Sequence, residues 1–95
     1  MDVKQIILKY ARELDVICAK LNMAVKSDAV SEDVSDLTCR MEKEIQNSSD
    51  EMLCAALYNA RATVMTAPKG CSVAQLKDAL CDAGAELLEI SEYLT

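Results

Sequence analysis

Five cysteines, Cys18, Cys39, Cys54, Cys71 and Cys81, are the side chains of this sequence best suited to metal ligation, redox work or nucleophilic attack. Their spacing favours none of these. Consecutive gaps are 21, 15, 17 and 10 residues, so there is no Cys-x-x-Cys pair to build a zinc or thioredoxin-like site. Histidine is absent, which removes His-ligated zinc, Ser/His/Asp and Cys/His nucleophile pairs and His-based phosphotransfer together. Cys18, Cys54 and Cys81 each adjoin an apolar stripe and read as small core hydrophobes. Cys71 follows Pro68-Lys69-Gly70 and reads as the exposed thiol, with Lys69 and the next helix start favouring its thiolate. An incidental loop cysteine accounts for it better than a redox switch does.

Carboxylates are the other reactive class. Asp78, Asp82, Glu86 and Glu89 recur at helical spacing and form one acidic face. A solvated surface is the plain reading of that face. The sharper one is a phosphate-mimicking surface which, with the acids of residues 32–36, occupies a basic nucleic-acid-binding site on another protein. Neither Gly70 nor Gly84 sits in a Gly-rich strand-to-helix turn, so no phosphate loop is present. The sequence therefore predicts no catalytic residue, no cofactor, no metal site and no enzyme activity.

The elements that must position these groups are helical. Hydrophobic residues make up 52% of the 95 residues and aromatic ones only 3%, with two glycines and one proline. So aliphatic a chain, with so few turn formers, favours helices over a many-stranded sheet. The spacing predicts a single-domain, all-α antiparallel bundle of four helices, about 2–26, 32–46, 50–66 and 72–94. In the first, Val3, Ile7, Tyr10, Leu14, Ile17, Leu21 and Ala24 form a bundle seam. In the second the stripe is Val34, Leu37, Met41 and Ile45, behind the acidic start Glu32, Asp33 and Asp36. Ser48 and Glu51 suggest a capping box before the third helix; without that break, 32–66 is one helix and the bundle has three. The third carries Leu53, Leu57, Ala60 and Val64 on one stripe and Cys54, Tyr58 and Met65 on a second flank, until Pro68 ends it. The fourth follows a Ser72–Gln75 capping box and buries Val73, Leu76, Leu80, Ala83, Leu87, Ile90 and Leu94. Gly84 inside it reads as the mark of a close helix crossing.

Net charge is −6, which disfavours nucleic acid and anionic membrane surfaces as direct partners. Residues 1–26 hold five bases against three acids, whereas 27–95 hold thirteen acids against five bases. A basic first helix beside acidic later ones predicts internal pairing. No apolar run is long enough to span a membrane, and Lys9, Arg12 and Glu13 interrupt the signal-like start at Ile6-Ile7-Leu8. A cytoplasmic protein with reduced thiols is expected.

Two helices own more apolar perimeter than one seam requires. On the first, Leu8, Val16, Ala19 and Met23 fall away from the seam, with Arg12 among them; on the third, Tyr58 and Met65 do. These seven residues are the candidate interface to another chain, either a second copy or a different protein. The expected role is a non-catalytic binding module: an adaptor, chaperone, inhibitor or assembly subunit. The acidic mimic is the alternative.

Overall fold

The computed structural model describes residues 2–23, 26–68 and 70–94. Four helices follow one another: α1 (Val3–Leu21), α2 (Ser31–Asn47), α3 (Glu51–Met65) and α4 (Val73–Glu92), with a 3₁₀ turn at Ser27–Val30 leading into α2. No strand occurs among the described residues. The fold is the expected all-α bundle, and helices two and three are separate.

Local chemistry sets most helix starts. The Asp2 carboxylate accepts from the Gln5 amide at 3.0 Å and caps α1. The Ser72–Gln75 capping box forms as expected, with both reciprocal bonds at 3.1 Å. Before α3 the expected cap is displaced by two residues. Asp50, not Ser48, accepts from the Leu53 amide at 2.9 Å, while Ser48 Oγ accepts from the Asp50 amide at 3.1 Å. An Asp so placed satisfies an orphan N–H and also suits the positive helix end. Helix α1 stops at Leu21 instead of reaching 26. Asn22 is its C-cap, and Lys77 Nζ on α4 donates to the Asn22 side-chain oxygen at 2.6 Å. Ala24 and Lys69, invoked above, lie outside the described residues.

The seams close on one aliphatic core. Ile7, Leu14 and Leu21 from α1, Leu37 and Met41 from α2, Leu53, Leu57 and Val64 from α3, and Leu80 and Leu87 from α4 are almost wholly enclosed. Each such side chain stabilises the fold by about 1.5–3 kcal/mol relative to exposure. Val34, Ile45, Val73, Ile90 and Leu94 pack on that core only in part. Helix α4 lies between α1 and α3 and packs extensively on both, while α2 packs on α3. The seam between α1 and α2 is the sparsest of the four and is tied by polar groups. Tyr10 Oη donates to the Arg40 carbonyl at 3.3 Å, Glu13 pairs with Arg40, and Lys20 Nζ lies 3.3 Å from Asp33. Lys20–Asp33 has the sense expected from the charge distribution; Glu13–Arg40 has the opposite one.

Gly84 corrects an expectation. A Cβ built there meets nothing within 4 Å, so no crossing depends on it. Gly70 does have a backbone role, because its φ of +77° is left-handed.

Candidate functional site

Helix α3 buries Leu53, Ala56, Leu57, Ala60 and Val64. Counting 100° per residue from that stripe places Met52, Ala55, Tyr58, Asn59, Ala62, Met65 and Thr66 on the opposite face, and all seven are exposed. Met52 is 49% exposed, Tyr58 63% and Met65 58%. The sole charged side chain between Met52 and Thr66 is Arg61, half-buried at the edge of the face with Nη2 3.5 Å from the Glu42 carboxylate on α2. Glu51, the first residue of α3, is exposed at the start of this face; beyond it the face is uncharged over almost four helical turns.

Its two edges differ. Toward α2 it ends at the Arg61–Glu42 pair. Toward α4 it ends at Thr63, whose hydroxyl donates to Glu86 Oε1 at 2.8 Å. Asp82 and Glu89 lie four residues before and three after Glu86, on the same side of α4, and both are exposed. An acidic rim thus borders an apolar strip.

Near Met65 the strip meets a cleft of about 620 Å³. Val34, Val64, Met65, Ala67, Pro68 and Leu76 give it apolar walls, and Ser31, Ser35 and Thr38 line the α2 side with hydroxyls. Thr38 already donates to the Ser35 carbonyl at 3.0 Å. The cleft opens where the α2 start, the end of α3 and the α4 start converge. Size and lining suit one bulky apolar side chain or a small amphipathic ligand.

The sequence-derived candidates do not form one surface. Tyr58 and Met65 belong to the α3 face. Arg12, Val16 and Ala19 are exposed on α1, which packs mainly on α4 and only sparsely on α3. Met23, just beyond the end of α1, is 90% exposed. Leu8 is half-buried, less open than its helical angle suggested. Of the acidic series, Asp78, Asp82 and Glu89 are exposed, but Glu86 turns toward α3 and is half-buried beside Thr63. Four carboxylates in one solvated row is thus corrected to three.

The thiols also redistribute. Cys39 and Cys81 are exposed, Cys54 and Cys71 are half-buried, and Cys18 is buried. Cys71 is therefore not the most open thiol, and Cys81 is not core. Cys54 Sγ donates to the Ile45 carbonyl at 3.4 Å. Cys18 and Cys81, on different helices, stand with sulfurs 3.7 Å apart. Burial first, and then the hydrogen bond with Cys81, push the Cys18 thiol up to about 12.

Sequence reasoning passed over Met52 as an interface residue, although the near-absence of charge from Met52 onward was its signal. The cleft had no local signal, since its lining comes from three separate segments.

Fold and surface together define a small all-α bundle with an uncharged helical face open to solvent. No protein-family model, curated protein sequence or solved structure matches the chain.

Proposed function

We propose that this protein is a small, non-catalytic protein-binding module whose outward α3 face holds an amphipathic helix of another protein. One observation carries the reading: Met52, Tyr58 and Met65 stand exposed along a face without an outward charge beyond Glu51 at its start. Surface apolar residues are ordinary when scattered; a continuous strip marks a contact surface. Methionine is unbranched and polarisable and adapts to varied partners. The cleft beside Met65 supplies a pocket for one anchoring side chain, the arrangement that concentrates binding energy at helix-in-groove contacts. The rim of Asp82 and Glu89 favours a partner with Lys or Arg along one edge of its apolar stripe. Adaptors, chaperones, inhibitors and assembly subunits all work through such a face. The reading assigns the protein to the cytoplasm, where its odd number of cysteines is kept as thiols.

The test uses a synthetic amphipathic helix of leucine and lysine, with a leucine–glutamate helix as control. The lysine peptide is expected to bind and the glutamate peptide to bind far less. Tyr58→Lys with Met65→Lys should weaken binding at least about tenfold, since each lost apolar contact is worth about 1.5–3 kcal/mol. Circular dichroism should stay unchanged, because both side chains are exposed. Val16→Lys on α1 with Met23→Lys just beyond its end should leave binding intact. Equal binding by the α3 variant and the parent overturns the proposal.

A second reading has its own observation. The exposed pattern Met52-x-x-Ala55-x-x-Tyr58-Asn59-x-x-Ala62-x-x-Met65 is symmetric about its centre. In an antiparallel pairing of two copies, Met52 faces Met65, Ala55 faces Ala62 and Tyr58 faces Asn59 of the second copy, the self-complementarity a two-fold contact needs. That pairing also brings two acidic α4 rims together. Self-association is then strengthened by salt, whereas capture of a basic helix is weakened by it.

A further inference from the structure

We propose that Cys18 and Cys81 are a redox pair that closes to a disulfide joining α1 to α4. The two sulfurs are 3.7 Å apart although 63 residues separate them in sequence. The antiparallel register is held one turn further along by the 2.6 Å bond from Lys77 to Asn22. Four residues forward on α1 and four back on α4 carry the chain from one pair to the other, so both contacts belong to one docked surface. Closing the bond requires the two sulfurs to move from 3.7 Å to disulfide bonding distance. Cys54 points elsewhere, toward the Ile45 and Ser48 carbonyls.

The pair is asymmetric in a way that orders the chemistry. Cys81 is exposed and Cys18 is buried, so an oxidant reaches Cys81 first. With a low-molecular-weight disulfide such as glutathione disulfide, the Cys81 thiolate attacks one sulfur and releases one glutathione thiolate. Cys18 then gives its proton to solvent or to that leaving thiolate. Its sulfur attacks Cys81 Sγ in the mixed disulfide and expels the second glutathione. Two protein thiols and one glutathione disulfide become one protein disulfide and two glutathione thiols. In the reduced protein, burial and the Cys81 contact keep Cys18 protonated. A bridge over so long a loop constrains the unfolded chain strongly, so the oxidised protein should be the more stable form.

The experiment equilibrates the full chain in glutathione buffers from reducing to oxidising, quenches with acid, alkylates and maps peptides by mass spectrometry. The expected product is a Cys18–Cys81 crosslink, with the oxidised protein melting roughly 10 °C or more above the reduced one. Cys81→Ser, an exposed change, should leave reduced-state helicity intact and abolish that rise. Recovery of Cys81 only as its glutathione adduct, with Cys18 still a thiol, overturns the proposal. So does an undiminished rise in the Cys81→Ser protein.

Discussion

Cys18 and Tyr10 show how single side chains link packing to pH. Burial and then Cys81 raise the Cys18 thiol to about 12, from an ordinary value of 9.0. Burial and then the Glu44 and Glu13 charges raise the Tyr10 phenol above its ordinary 10.0. In both, the folded protein holds the neutral, protonated form more tightly than the unfolded chain does. Their contribution to stability is complete below the unfolded values and is lost as pH rises through the folded ones. The reduced protein should thus keep a constant urea midpoint up to about pH 8 and lose stability from about pH 9 upward. Cys18→Ala should flatten the first part of that decline, and an identical alkaline slope in the variant would remove Cys18 as its cause. The Cys18–Cys81 contact was not legible in the sequence, nor was the turn of Glu86 toward Thr63. A helical angle relates a residue to its own stripe and says nothing of which neighbour stands beside it.

Among the elements, the apolar stripes were legible because each helix repeats its seam at steps of three and four. Their ends were less so. α1 ends at Leu21, where Asn22 is captured by Lys77 on a helix more than fifty residues away, and α3 is capped by Asp50 although Ser48 fits a local pattern equally well. The two glycines separate intrinsic preference from packing. Gly84 is helical with open space around its missing Cβ. Gly84→Ala should therefore stabilise the protein by about 1 kcal/mol, the ordinary helix-interior difference. Gly70 also has open space, but its φ is +77°. Gly70→Ala should destabilise by about 1 kcal/mol through backbone strain alone. Chemical denaturation of the two variants measures both; the same sign for both would contradict this separation.

On the scale of the molecule, the accessible surface is 5927 Å², against roughly 5,400 Å² for a compact monomer of 10.4 kDa. Part of the excess is accounted for in the architecture. α4 is flanked on both sides, α2 is held mainly by α3, and a cleft remains where the α2 start, α3 end and α4 start converge. The surplus of apolar perimeter on the first and third helices was legible in the sequence. Its division between two separate faces was not, because that depends on α4 standing between α1 and α3.

The central claim is that the α3 strip and its cleft are where a partner helix lies. Titration of ¹⁵N-labelled protein with the leucine–lysine helix, followed by amide chemical shifts, tests it most directly. Shifts should concentrate at Met52, Ala55, Tyr58, Asn59, Ala62 and Met65 and at the cleft residues Val34, Thr38 and Leu76, and leave Val16, Ala19 and Met23 still. A response centred on α1, or one confined to the acidic residues of α4 with α3 unmoved, would contradict the account.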